Sequence, residues 1–262
     1  MEDSEINQLK NKYYSNIPVL YEMIKHMQGR EVTFMSKNKV IRCIKAHAFS
    51  YLIKNMDAFS FKTEPYNIYG SLAKLYGMPM FSFDLPKRKE QQREFNLKFD
   101  DFIVGYDLAF DFDAHECQIQ KAYHDCNTLK ESFDKYGVPY YLKFSGSGFH
   151  MEISSRFLPR NMLPNFDGYA RIVNRVKEIY NLDTMDMFLS DKRRIWKIPY
   201  SFDVKTGNIA LPLNDKQFSE FNLEMVKPDN VLKYGVRGRG LLERKGTQLD
   251  FSEFLADLMD VD

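Results

Sequence analysis

Cysteine is scarce, with three residues in a chain of 262. So small and odd a number cannot build a fully paired disulfide framework, and a reducing compartment is the simpler setting. Long apolar runs are missing too. No stretch approaches the roughly 20 residues that span a bilayer as a helix. The opening Met1-Glu2-Asp3-Ser4-Glu5 is acidic with no apolar run behind it, which is not a signal-peptide pattern. These absences set the expectation of a cytoplasmic, intracellular protein with no membrane partner. Neither sign of charge dominates. The 37 Lys and Arg against 36 Asp and Glu leave +1, so contact with a polyanion would have to rely on local patches. No internal repeat or low-complexity linker interrupts the chain.

What is abundant is aromatic. The 22 Phe and 16 Tyr suit strands and packed cores, and they could also offer stacking surfaces for bases. The length allows one substantial core, or two small modules sharing a cleft. Leu9, Tyr13, Ile17, Leu20 and Ile24 recur at helical spacing and predict a helix over 5–28. Two strands, 30–36 and 39–45, should form a hairpin around Lys37-Asn38, followed by a helix over 46–57. Pro86 and the charge cluster Lys87-Arg88-Lys89 predict a loop over 79–101, the expected seam between modules. Beyond it the pattern alternates: strand 106–113, helix 116–136 closed by Gly137 and Pro139, strands 140–144 and 149–154, helix 166–180, a strand-rich stretch 184–213, and an amphipathic acidic helix over 248–262. A mixed α/β (α+β) architecture follows, with approximate modules 1–100, 101–215 and 216–262.

Tyr106-Asp107-Leu108-Ala109-Phe110-Asp111-Phe112-Asp113 carries the first chemical signal. Side chains alternate along a strand, so Leu108, Phe110 and Phe112 point to a core while Asp107, Ala109, Asp111 and Asp113 point away. Carboxylates at i and i+2 are close enough to share divalent ions. Their hard oxygens suit Mg²⁺ or Mn²⁺, and two such ions could activate a 3′-hydroxyl and stabilise a leaving pyrophosphate. The alternative is a solvated strand face. Against it, aspartate is depleted in strands, and like charges on one face repel unless a cation lies between them.

Two further stretches stand out. In Ser145-Gly146-Ser147-Gly148-Phe149-His150 the glycines let backbone amides approach phosphate closely, Ser145 can donate a hydroxyl, and His150 faces away from Phe149 and Met151. A plain hairpin turn with an incidental histidine is the alternative. In the run from Asp186 to Gly207, Asp186 could be a third metal ligand, Lys197 could neutralise triphosphate charge, and Arg193 and Arg194 could meet phosphates of nucleotide or template. A basic solvated strand edge is the alternative there.

Taken together, the chain resembles the archaeo-eukaryotic primase superfamily, and in particular a DNA primase small (catalytic) subunit, over roughly residues 28–213. Asp111-Phe112-Asp113 is similar to the family's first acidic motif, Ser145 to His150 to its nucleotide motif, and Asp186 to its third acid. Lys197-Ile198-Pro199-Tyr200-Ser201 with Lys205-Thr206-Gly207 is similar to its basic-x-Pro-x-Ser…Lys-Thr-Gly run, and Arg30-Glu31-Val32-Thr33-Phe34 to its Arg-Glu-Phe-x-Phe strand. The resemblance implies an N-terminal α/β module packed on an RRM-like module, with the active site in the cleft between them. It implies a primase or primase-polymerase that synthesises short primers from NTPs or dNTPs on a single-stranded DNA template through two Mg²⁺ or Mn²⁺ ions, with a large primase subunit as a possible partner. The nucleotide would meet Arg30, Ser145, Gly146, Gly148, His150 and Lys197. Nucleic acid would meet Arg193, Arg194, Lys205, Arg237 and Arg239. The chain departs from the pattern in three places. Asp203 stands where the family often has a histidine near the triphosphate, and the glycine motif is one residue short. The third acid needs a one-residue gap, which keeps Asp183 and Asp191 as alternatives to Asp186. A non-catalytic nucleic-acid-binding subunit and a metal-dependent phosphodiesterase are the competing functions.

Many cellular family members also carry a zinc knuckle after the first acidic motif, and here His115, Cys117, His124 and Cys126 offer four ligands in twelve residues. However, Ile119, Ala122, Tyr123, Cys126, Leu129, Phe133 and Tyr136 trace a helical apolar stripe that would turn Cys117 and Cys126 to opposite sides. Elemental analysis of the purified protein is therefore expected to find no stoichiometric zinc.

Overall fold

The structure, a computed structural model, describes residues 3–36, 40–44, 66–79, 81, 85–114, 118–159, 166–187, 191–238 and 242–260. The Lys37-Asn38 turn, the helix expected over 46–57, His115, Cys117 and Arg239 lie outside them. At the N-terminus the expected single helix is two: α1 (Asp3–Tyr14) and α2 (Ile17–Met27). The break has a local cause. Asn16 caps α2 by accepting the Val19 N–H at 3.2 Å, and Pro18 sits in the first turn, where a missing N–H does no harm.

β1 (Val32–Met35) pairs antiparallel with β2 (Val40–Ile44), as the hairpin pattern predicts. On its other edge β1 pairs with β3 (Asn67–Ser71), and β3 pairs with β9 (Ile195–Lys197), giving a four-stranded sheet in the order β2-β1-β3-β9. β9 comes from the range expected to belong to the second module. The chain thus does not divide cleanly near residue 100, because a later segment returns to complete the first sheet. β4 (Ala73–Leu75) and β5 (Ile103–Tyr106) make a two-stranded ribbon. Between them, the expected loop over 79–101 holds α3 (Leu85–Leu97). Pro86 is no obstacle, since it stands in the first turn. What hides α3 in the sequence is the lack of an apolar stripe. Phe95 is its buried aromatic anchor, packed against Phe81, Phe99 and Phe102.

The second sheet is antiparallel, in the order β6-β8-β7, from β6 (Leu108–Phe112), β8 (Phe149–Ile153) and β7 (Tyr141–Phe144). α4 (Ile119–Tyr136) and α5 (Phe166–Tyr180) pack on this sheet, and α6 (Gln248–Asp260) packs on those helices. Gly137 ends α4 in the left-handed region, at φ +68°. The alternation of side chains sorts the two faces. Phe110 turns to the helices and meets Phe133 edge-on, and Cys126 and Leu129 are fully buried in the α4 stripe. Asp111, Lys143, His150 and Glu152 turn the other way. This polar face is not solvated. Lys143, His150 and Glu152 are all buried, because β9 and Arg30 cover them.

Burying charge requires pairing. Arg30, just ahead of β1, reaches across to the second sheet. Its guanidinium is ion-paired with Asp107, donates to Glu152 Oε1 at 3.1 Å, and donates to Ser71 O at 2.6 Å. Lys74 adds a second cation 3.3 Å from Asp107. Arg30, expected to meet the nucleotide, stands in the structure as a buried clamp between the sheets. Among the described residues, no helix is long and apolar enough to cross a membrane. Arg30→Met, which removes the guanidinium shared by Asp107 and Glu152 and leaves Lys74 beside Asp107, is expected to lower unfolding stability by about 3–5 kcal/mol in urea titrations.

Candidate active site

Asp111 lies in β6, and Asp113 just past its end. Asp186 arrives from beyond α5. Met185 forms an antiparallel bridge with Phe112, the Asp186 N–H donates to Asp111 O at 2.8 Å, and the Asp113 N–H donates to Thr184 O at 3.0 Å. Backbone pairing thus lays the third acid beside the first two. Each of the three carboxylates has an oxygen within 4.8 Å of the others. The alternatives for the third position are elsewhere. Asp183 pairs with Lys121 at 2.7 Å on the surface, and Asp191 accepts the Arg193 N–H at 2.8 Å.

The donor set fits a hard divalent cation such as Mg²⁺ or Mn²⁺. Asp111 Oδ1 is a buried oxygen with no well-aligned hydrogen bond, although His150 Nε2 lies 3.1 Å from it. Burial would raise the Asp111 carboxyl. Its contact with His150 and the nearby charges of Arg194 and Lys143 outweigh burial and hold it below the usual carboxylate value. It is therefore ionised and ready to ligate at neutral pH.

His150 sits opposite both Asp111 and Lys143 in the strand register. It packs against Trp196, the only tryptophan of the chain, with ring centroids 3.8 Å apart and the rings tilted by 31°. Burial lowers its pKa to about 4 against the opposing pull of Asp111, so the imidazole is neutral at pH 7. Lys143 is 1% exposed, donates to Lys197 O at 2.6 Å and lies 5.0 Å from the Trp196 ring. Sequence reasoning missed Lys143 and Trp196. The available signal was a lysine in the apolar run Tyr141-Leu142-Lys143-Phe144, a position that only pairing with β8 turns toward His150.

The glycine turn is closed by Ser145, whose N–H donates to Gly148 O at 2.8 Å and whose Oγ accepts the Gly148 N–H at 3.0 Å. Gly146 adopts φ +112°, and a Cβ there would lie 2.6 Å from Asp203 Cβ. Asp203 explains the departure from the family pattern. It is ion-paired with Lys197, and its Oδ1 accepts from the Lys205 N–H at 3.0 Å and the Thr206 N–H at 2.9 Å. Thr206 Oγ1 in turn donates to Gly146 O at 2.9 Å. Asp203 thus knits the Lys205-Thr206-Gly207 turn to the glycine turn. Lys197 also donates to Asn67 Oδ1 at 3.1 Å. Burial pulls its pKa down while Asp203 pulls the other way.

The arginines separate. Arg194 Nη2 lies 4.0 Å from carboxylate oxygens of both Asp111 and Asp186, so it belongs to the acidic centre. Arg193, expected on nucleic acid, is bound within the fold: it pairs with Glu31 at 2.6 Å, contacts Asn96 and lies 4.9 Å from the Phe99 ring. Lys205 and Arg237 are exposed, and the Arg237 backbone is held by the Tyr200 phenol.

Gly148 leaves no room for a side chain, since a Cβ would meet Phe112 O at 2.2 Å. Gly148→Ala is expected to force the turn off β6 and lower stability by about 1–3 kcal/mol in thermal melts.

No protein-family model matches the chain, and no curated protein matches it in sequence. Solved structures do. The polymerase domain of ligase D from Mycobacterium tuberculosis, solved in complex with DNA, is 13% identical, with a TM-score of 0.52 and coverage of 86% of each chain. The AEP domain of the primase-polymerase of cyanophage S-2L is 11% identical, with a TM-score of 0.39, covering 79% of this chain and 89% of that one; it is too distant to argue from. At such low identity the first likeness speaks for the fold alone. The chain has a mixed α/β fold similar to that of the ligase D polymerase domain.

Proposed function

We propose that the protein is a nucleotidyltransferase of the primase-polymerase kind, which adds NTPs or dNTPs to a growing strand on a single-stranded DNA template. The observation that carries this reading is the convergence of Asp111, Asp113 and Asp186, with their oxygens within 4.8 Å, on a fold like that of a polymerase domain solved with DNA. A binding module for a polyanion has no use for three gathered carboxylates, which would repel its ligand.

In this reading the three aspartates hold Mg²⁺ or Mn²⁺. The bound ions supply Lewis-acid activation of a 3′-hydroxyl and neutralise the charge of the leaving pyrophosphate. The remaining groups position the triphosphate. Ser145, Gly146 and Gly148 present a tight turn beside the acids, and neutral His150, packed against Trp196, offers a ring nitrogen without adding charge. Arg194 is the cation placed to answer charge at the acids. Lys197 has Asp203 as its partner, so it steadies the turn as well as facing the site. Of the side chains expected to meet nucleic acid, Lys205 and Arg237 are exposed among the described residues, and in this reading they contact its backbone. We read the acids and the glycine turn as the catalytic part of residues 101–215, with 1–100 completing the cleft and 216–262 as an extension.

The test is incorporation of labelled NTPs and dNTPs on single-stranded DNA, with and without a primer, in Mg²⁺ or Mn²⁺. Product is expected from the wild type. The Asp111→Asn/Asp113→Asn double variant should lose about 10³-fold, roughly 4 kcal/mol of transition-state stabilisation. Product retained by the double variant would sink the assignment. DNA binding without incorporation on any template would favour the non-catalytic binding subunit, and hydrolysis of DNA without nucleotides the phosphodiesterase.

A further inference from the structure

Asp125 lies on α4, is not among the candidate residues of the sequence, and is buried. Its single oxygen Oδ2 accepts two hydrogen bonds from one residue, the Thr184 N–H at 2.8 Å and the Thr184 hydroxyl at 2.8 Å. The third polar atom of Thr184, its carbonyl oxygen, accepts the Asp113 N–H at 3.0 Å. Thr184 is thus tied on one side to Asp125 and on the other to an acid of the triad. Two residues later comes Asp186, whose N–H donates to Asp111 O. The same short segment is held from α5, where Lys177 Nζ donates to Met185 O and lies 3.4 Å from Asp183 O.

We infer that Asp125 is a positioning residue for the metal centre, fixing through Thr184 where Asp186 stands relative to Asp111 and Asp113. The physical case is one of constraint. Asp186 does not lie in a long ladder that would hold it by itself: its segment meets β6 through one bridge, Phe112 with Met185. Its side chain is 45% exposed, so packing does not hold it either. Without a tether the third carboxylate would sample positions beyond the 4.8 Å grouping, and the ordering would have to be supplied by the cation, at the expense of affinity. A carboxylate does this better than a hydroxyl or amide, because one charged oxygen can accept both the N–H and the O–H. Asp125 and Thr184 touch no substrate and carry no step of the reaction.

This inference rests on the three aspartates being a metal centre, and the experiment separates the two. Mn²⁺ alone is titrated into the protein without nucleotide or DNA, and free Mn²⁺ is read by electron paramagnetic resonance. The variants are Asp125→Ala, Asp125→Asn, Thr184→Val and Asp111→Asn/Asp113→Asn. Ser132→Ala serves as control. Ser132 Oγ lies 2.5 Å from Tyr180 Oη, a polar contact between the same two helices, α4 and α5, but away from the acids. Urea titration of each variant gives its folded fraction.

Asp125→Ala is expected to weaken Mn²⁺ binding by about 10-fold to 100-fold in folded protein, the usual range for outer-shell partners. Asp125→Asn should recover most of that loss, since an amide oxygen can still accept, and Thr184→Val should lose less than Asp125→Ala because the N–H bond survives. Ser132→Ala should bind Mn²⁺ as the wild type does, even where it lowers stability. Wild-type affinity in folded Asp125→Ala, alongside lost affinity in the Asp111/Asp113 double variant, would overturn the positioning role and leave the metal centre standing. Equal losses in Ser132→Ala and Asp125→Ala would also overturn it, by showing a general effect of helix packing. Absence of Mn²⁺ binding by the wild type would overturn both readings. If Asp125→Ala fails to fold, Thr184→Val decides: an unchanged Mn²⁺ affinity in that variant overturns the inference.

Discussion

A sheet whose polar face is buried must bring its own counter-charges, and in this protein that requirement joins the two sheets. Asp107, just ahead of β6, and Glu152, on β8, are two carboxylates held in a low-dielectric interior. Arg30 enters from the other sheet and pairs with both, while its second nitrogen satisfies Ser71 O. The clamp lies in the same layer as His150, Lys143 and Trp196, so the spacing between β8 and β9 is set by buried charge as well as by packing. A mere apolar contact would allow the sheets to slide. A guanidinium in a defined fork between two acids does not.

The site then follows from three backbone pairings. β6 with β8 brings Asp111 opposite His150, β8 with β7 brings His150 opposite Lys143, and the single bridge from Met185 to Phe112 adds Asp186. Each pairing carries one side chain of the constellation, and none of these residues is adjacent in sequence. Negative charge at the centre is balanced locally: Arg194 lies near two of the acids, and Lys197 near Asp203. Asp203 is the clearest case of a residue whose chemistry changes with its surroundings. On a bare alignment it is a carboxylate that repels phosphate. In the fold it is a hub that accepts from the Lys205 and Thr206 amides and steadies the turn on which Gly146 packs.

Much of the fold was legible because strand alternation and helical periodicity are local properties. The helices at Ile119–Tyr136 and Phe166–Tyr180 and the strands on either side of the glycine turn fall where the pattern puts them. The failures were also local in origin. α3 presents no apolar stripe, so its charged run reads as loop, and the Asn16 cap that divides the first helix is weaker than the periodicity that spans it.

By itself the sequence determined the chemistry on offer: hard carboxylates two apart on an apolar strand, a glycine turn ending in a histidine, and a third acid within a basic run. These are statements about residue type and spacing, and they survive without coordinates. Only the tertiary structure decided which of Asp183, Asp186 and Asp191 joins the pair. It also showed that Arg30 and Arg193 are held by Asp107, Glu152 and Glu31, and it brought Lys143, Trp196 and Asp125 into the account. The reason is that a charge in a sequence has no partner until the chain has folded. Pairing energies depend on distance and burial, and both are set by contacts between residues tens to more than a hundred positions apart.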